Sequence, residues 1–306
     1  MTSRKSMLLI FNPIAGRGEF SQMLFAVVDK FTKNGFEVTL HPTQNKRDAY
    51  DVALARAPYF DYLVCSGGDG TFNEVADALM LLPDKPVLGY IPSGTTNDFA
   101  SSLGLPGDIL LAADAICHGQ PQSIDIGQFQ QEYFSYVAAF GLFTDVSYGT
   151  PQNMKNMLGH AAYVLEGVKR LANVKHHRCH IVCDGEALNG DFIFGMVSNS
   201  MSIGGFTLSL GDNIAPDDGV FEVILLRRMT NVAQLAQVIP ALLGAGSSSD
   251  RLVVRTASKI SLSCDKPLNW TLDGEFGGSH KAVEILVHRQ VIRILTPAVQ
   301  PEPSED

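Results

Sequence analysis

The sequence predicts an α/β N-terminal domain built on a parallel sheet, then a C-terminal, mostly antiparallel β-sandwich domain. Three observations carry this. Up to about Asp125, apolar runs alternate with segments of helical periodicity. Beyond it, strand-like runs follow one another with short connections. Glycine- or proline-rich turns fall at the carboxyl ends of three early runs, where parallel sheets bind their ligands.

The first domain reads in order. Met7–Phe11 is a strand, and Phe20–Lys33 a helix with apolar Met23, Phe25, Val27, Val28 and Phe31. Asn34-Gly35 gives that helix a C-cap. Phe36–His41 is a strand and Lys46–Ala57 a helix broken by Pro58. Tyr62–Cys65 and Val87–Ile91 complete the β-α-β-α order, which demands right-handed crossovers. The second domain holds Ser123–Phe129, Tyr133–Phe140, Arg178–Cys183, Asp191–Ser198, Val220–Leu226, Leu252–Ser263 and Ala282–His288. Helical patterns interrupt it at His160–Val174 and Asn231–Leu243. The division falls at 125, with domains 1–125 and 126–288 and with 289–296 returning to the first domain. The tail 297–306, rich in proline and acids, is expected to be disordered.

Composition narrows the function. The chain has 306 residues, 45% of them hydrophobic, and a net charge of −9. That charge argues against bulk nucleic-acid binding. No apolar run reaches the ~18 residues of a membrane span. The apolar start is five residues long and ends at Asn12-Pro13, so it reads as a strand rather than a leader. Five scattered cysteines give an odd count and no disulfide framework, as expected of a reducing cytoplasm.

The chemistry concentrates in three loops. Gly67-Gly68-Asp69-Gly70-Thr71 joins a strand to a helix. Its glycines let backbone approach a ligand, and the helix N-terminus attracts an anion. A carboxylate at Asp69 would repel phosphate unless a cation lay between, so the loop reads as a nucleotide–metal site. Asn12-Pro13-Ile14-Ala15-Gly16-Arg17-Gly18 and Pro92-Ser93-Gly94-Thr95-Thr96-Asn97-Asp98 lie at the same sheet edge. The first of these is neither a Walker A loop, since no Gly-Lys-Ser/Thr follows, nor a dinucleotide fingerprint, since the third glycine is missing. In the latter loop, Thr96, Asn97 or Asp98 caps a helix over Phe99–Leu103, and Thr95 and Asn97 turn polar groups to the nucleotide. His176-His177-Arg178-Cys179-His180 lacks the ligand-pair spacing of zinc, so Cys179, Ile181 and Cys183 read as one core-facing side of a strand. Asp217-Asp218-Gly219 reads as a hairpin turn.

These motifs, in this order, resemble the diacylglycerol kinase catalytic family. So do Ile124-Asp125-Ile126-Gly127, Pro216-Asp217-Asp218-Gly219-Val220-Phe221-Glu222-Val223 and Leu272-Asp273-Gly274-Glu275. The resemblance implies an ATP- and Mg²⁺-dependent lipid kinase with nucleotide in the interdomain cleft. Carried over, it gives Glu275 as the base, with Asp69 and Asp125 organising metal and phosphates. Asn12, Gly16, Arg17, Thr43, Gly67, Gly68, Gly70, Thr71, Asn73, Glu74, Gly94, Thr95 and Asn97 would contact nucleotide. Asp218, with the carbonyls of Ala215 and Val220, would hold a structural Mg²⁺. A base in a dry cleft, its pKa raised by burial, suits phosphoryl transfer. The resemblance further implies a lipid partner, peripheral membrane contact and no nucleic acid, and it admits a homodimer. The basic cluster Lys169, Arg170, Lys175, His176, His177 and Arg178 is the one membrane-facing candidate. Two alternatives stand beside this. An NAD kinase-like phosphotransferase would share Asn73-Glu74, and a non-catalytic nucleotide-binding regulator would have no use for Glu275.

Overall fold

The computed structural model describes residues 4–141, 175–199, 215–229 and 249–298, together with 202, 203, 206, 207, 234 and 238. The helical patterns of 160–174 and 231–243, Lys169, Arg170 and most of the tail therefore lie outside the described residues. The chain divides into two compact units, Met1–Ile124 with Ile292–Asp306, and Asp125–Val291.

The first unit begins with β1 (Lys5–Phe11), α1 (Glu19–Lys33), β2 (Phe36–Pro42) and α2 (Asp48–Arg56). A short 3₁₀ turn, Ala57–Tyr59, contains Pro58 and ends the second helix. Then come β3 (Tyr62–Gly67), α3 (Asp69–Met80), β4 (Val87–Pro92), α4 (Asp98–Ser102) and α5 (Ile109–His118). The strands lie in the order β2-β1-β3-β4, and every pairing is parallel. β1 alternates faces as a pleated strand must. Met7, Leu9 and Phe11 enter a core with Phe20, Val27 and Phe31 of α1 and Ile109, Ala113 and Ile116 of α5. The helix α1 thus buries one stripe, but Phe25 points away and is 84% exposed, contrary to the apolar face expected from spacing. Gly35, at φ +85°, closes that helix in the left-handed region glycine favours.

The second unit contains β5 (Gln120–Phe129, entering from the first unit), β6 (Glu132–Phe134), β7 (Val137–Gly141), β8 (His177–Cys183), β9 (Glu186–Ser198) and β12 (Phe221–Arg227). Between the last two lie the two-residue β10 (Ser202–Ile203) and β11 (Phe206–Thr207). After them come β13 (Leu252–Ala257), β14 (Lys259–Leu272) and β15 (Glu275–Thr296). The pairings of β7, β8, β9, β12, β13 and β14 are antiparallel. β9 and β14 are long, and each pairs with β8 at one end and β7 at the other. They enclose a core of Phe129, Phe134, Phe140, Phe192, Phe221, Trp270 and smaller apolar residues. β15 then runs on into the first unit, where Ile294 pairs in parallel with Leu88 of β4.

Two expected strands are broken. Tyr133–Phe140 divides at Ser135 and Tyr136, whose amides turn to the Asp273 carboxylate at 2.6 and 3.0 Å. Leu252–Ser263 divides at Ser258, whose amide and hydroxyl both bond Asp184, each at 3.0 Å. A remote carboxylate outcompetes the ladder in each case. The cysteine reading also needs correction. Cys179 and Cys264 form a disulfide across 85 residues, because register places them opposite one another on β8 and β14. Cys179, Ile181 and Cys183 are nonetheless buried on one side, and His180 is exposed.

Candidate functional site

In the first unit, the three motif loops leave the carboxyl ends of β1, β3 and β4 and are stitched together by backbone. The Asn12 amide donates to the Ser66 carbonyl at 2.9 Å, and the Ser93 amide to the Gly67 carbonyl at 2.8 Å. The Thr43 amide, at the end of β2, donates to the Phe11 carbonyl at 2.9 Å. The Asn12 side chain accepts from the Ile14 amide at 3.1 Å and so closes its own turn. Here the glycines answer a packing demand. A Cβ on Gly16 would sit 2.5 Å from the Ser93 carbonyl oxygen, and one on Gly68 would meet the Gly94 backbone at 3.3 Å.

Asp69 opens α3, yet its carboxylate serves another helix. Its two oxygens accept from the Asp98 and Phe99 amides, each at 3.2 Å. The orphan N–H groups that begin α4 are met by a side chain 29 residues upstream. Burial pushes the Asp69 carboxyl above its ordinary value, the two amides oppose this, and Asp98 adds repulsion. Asn97 occupies the N-cap position with φ +53° but does not cap. Its amide instead bonds both the N–H and the carbonyl of Gly94, each at 3.0 Å. The capping expected of Thr96, Asn97 or Asp98 is thus corrected, because Asp69 already satisfies those donors. Glu74 accepts from the Arg47 amide at 2.9 Å and so fixes the loop before α2. Asn73 and Thr71 are half-buried on α3, whereas Arg17, Gly70 and Thr95 are exposed.

In the second unit, Asp125 is fully buried. Its oxygens accept from the Gly219 and Gln290 amides, each at 2.6 Å, and its own amide donates to the Pro216 carbonyl at 2.7 Å. Burial raises this carboxyl too, with Asp218 and Asp217 contributing. Asp125 therefore locks the 216–219 turn against the bend at Gln290, where φ is +53°. The exposed Asp218 accepts from the Val220 amide at 3.0 Å and shares the turn with half-buried Ala215. Among the described residues no three His, Cys, Asp or Glu side chains gather as a metal cage. A cation here would rely on one carboxylate and carbonyls, a donor set that suits a hard ion.

Asp273 and Gly274 form the two-residue turn between β14 and β15, with φ +47° and +85°. Positive φ at both positions is the hairpin turn whose twist matches its strands. The buried Asp273 carboxylate binds the Ser135, Tyr136 and Val137 amides at 2.6 to 3.0 Å. Glu275 follows on the first residue of β15 and is exposed, as is Phe276 beside it at 57%. The dry, buried setting expected for Glu275 is not what surrounds it, because the tight turn places it at the sheet's end.

Sequence reasoning named Asp98 only as a cap, placed Asp273 and Glu222 only within motifs, and passed over Asn199. Asp98 is 5% exposed beside Asp69, and Asp273 anchors the hairpin. Asn199 and Glu222 are buried with Oδ1 and Oε2 unpartnered. Glu222 had a signal, a lone acid within Phe221-Glu222-Val223-Ile224-Leu225-Leu226.

The chain matches the family model for the diacylglycerol kinase catalytic domain over residues 6–129. It matches the YegS C-terminal NAD kinase beta sandwich-like domain over 141–296. A diacylglycerol kinase of Bacillus subtilis is 35% identical, with 97% of this chain and 98% of the relative covered. The chain belongs to the diacylglycerol kinase family. It is a lipid kinase. A second family member, the diacylglycerol kinase of Staphylococcus carnosus, is 34% identical over 96% of each chain. A crystal structure from Bacillus anthracis str. Sterne, assigned as a diacylglycerol kinase, shares 25% identity and superposes with a TM-score of 0.80. That superposition covers 97% of this chain and 98% of the other. The words NAD kinase in the C-terminal match describe a sandwich likeness.

Proposed function

We propose that this lipid kinase transfers the γ-phosphate of ATP to a hydroxyl of diacylglycerol or a related lipid. One observation carries the nucleotide half: Asp69 joins the loops after β3 and β4 into one unit at the carboxyl edge of a parallel sheet. Gly68 and Gly70 bring backbone N–H groups to the start of α3, a setting that binds phosphate oxygens, and the Thr71 amide closes the turn onto the Gly68 carbonyl at 3.0 Å. Gly16, Gly67 and Gly94 let these loops pack close, while Asn12, Thr43, Asn73, Glu74 and Asn97 hold their shape or border the nucleotide. Arg17 and Thr95, exposed at the loop tips, face incoming ATP.

Mg²⁺, when bound, neutralises the charge on the phosphates being transferred. Asp69 would hold it, and its raised carboxyl fits a group that gains from a nearby cation. Asp125 positions the 216–219 turn, and Asp218 with the Ala215 and Val220 carbonyls would hold a second, structural ion. Glu275 takes the proton from the lipid hydroxyl.

The reading includes a cytoplasmic protein in peripheral contact with the bilayer, and it admits a homodimer. Among the described residues no helix is long and apolar enough to cross a membrane. Of the basic cluster, Lys175, His176, His177 and Arg178 are described, and Arg178 pairs with Asp191 at 3.2 Å. Labelled ATP with total lipid extract, followed by mass spectrometry of the product, tests the reading. A phosphorylated glycerolipid is expected; label on a sugar, on NAD or on no lipid would overturn it.

A further inference from the structure

A pocket of about 550 Å³ opens on the second unit, lined by Arg178, Cys179, His180, Ser263, Cys264 and Asp265 among others. Both cysteines of the cross-strand disulfide thus line one pocket. Cys179 is 2% exposed, whereas Cys264 is only partly buried and is the more accessible of the two to an incoming nucleophile. Cys264 is also the last residue of β14 to pair with β8. Immediately after Ser263 the β14–β15 register breaks, and regular pairing resumes at Leu268. The disulfide therefore clamps β14 to β8 beside a break in its pairing with β15. The remaining cysteines, Cys65, Cys117 and Cys183, are free.

We propose that Cys179–Cys264 is a reversible thiol–disulfide exchange site, opened through this pocket by a small dithiol, and that its opening loosens β14. The thiolate of the dithiol attacks Cys264 Sγ, the S–S bond breaks, and Cys179 leaves as a thiolate that takes up a proton. The second thiol then attacks the mixed disulfide. Cys264 leaves as a thiolate and is protonated, and the reductant closes to its cyclic disulfide. Two electrons pass from the dithiol to the cysteine pair. In reducing surroundings the dithiol form prevails, and oxidation restores the clamp.

The test uses the full-length wild-type chain after air oxidation. Thiols are alkylated in denaturant and mapped by mass spectrometry, before and after native incubation with dithiothreitol. Three of the five cysteines should react before, and all five after. The native reduction rate should rise linearly with dithiothreitol. A rate that levels off at the speed of global unfolding would overturn entry through the pocket. Alkylation of Cys179 and Cys264 in the air-oxidised protein would overturn the site itself. Hydrogen exchange supplies the second readout: amides 260–264 should lose at least ~10-fold protection on reduction, and β1–β4 should lose none. Unchanged protection in β14 would refute the clamp.

Discussion

Glu222 makes stability depend on pH in a way that one atom can erase. It lies on β12, 5% exposed, with Oε2 unpartnered. Burial pushes its carboxyl up from 4.5 to about 7, and Asp218 adds repulsion. Because the folded carboxyl is the weaker acid, the native state holds this proton over a range where the unfolded chain has lost it. The group's contribution is therefore complete below about pH 4.5, falls as pH rises, and is exhausted above about pH 7. At about 1.4 kcal/mol per decade the gap is worth roughly 3 kcal/mol. Partial solvent screening reduces this to about 2 kcal/mol. Glu222→Gln keeps the shape and cannot ionise. The carboxyls of Asp48, Asp61, Asp114 and Asp184 are lowered, so their contribution falls away only as pH drops below about 4 and is common to both proteins. We predict that the variant gains about 2 kcal/mol relative to wild type between pH 5 and pH 8. Urea unfolding measures this through Trp270, the sole tryptophan, which packs between Phe129 and Phe140 in the second unit. Stability curves that stay parallel across that range would show that Glu222 ionises freely and refute the reasoning.

Asp69→Asn should fold, by circular dichroism, and lose lipid-kinase turnover; near-wild-type activity would remove the metal role. Glu275→Gln should bind ATP normally and transfer phosphate at least ~100-fold more slowly in single-turnover assays. Full activity there would move the base elsewhere. Asp218→Ala should lower Tm and abolish any rise in Tm on adding Mg²⁺, whereas Mg²⁺ stabilisation that persists would count against the ion site. Liposome co-sedimentation should increase with anionic lipid and decrease with salt. It should weaken when Lys169, Arg170 and Lys175 become Gln; salt-insensitive binding would point to exposed apolar groups such as Phe276 instead.

What the sequence revealed was what is contiguous in it. The apolar run at Met7–Phe11 and the Gly67–Thr71 turn carry their physics locally, so strand, loop and family could be read from neighbouring residues. What stayed hidden depends on distant partners. No local pattern shows that Asp69 serves the α4 amides, or that Asp273 and Asp184 break strands more than 70 residues away. Cys179 and Cys264 likewise meet only through the register of β8 on β14. Exposure was also invisible: Glu275 sits in an acidic motif whatever its burial, and only the hairpin at Asp273-Gly274 decides that it faces solvent.

The route of β15 bears on how a ribosome can make this protein. β1 to β4 emerge early, but the strand that borders β4 is drawn from residues that follow the whole of the second unit. Buried Ile294 pairs with Leu88, so until those later residues are made β4 presents an open, sticky edge. The nascent first unit must therefore wait, shielded or chaperoned, for that neighbour. A stop codon shortly before residue 292 would leave that wait without end, and such a truncated product should accumulate as aggregate rather than as an independent nucleotide-binding fragment.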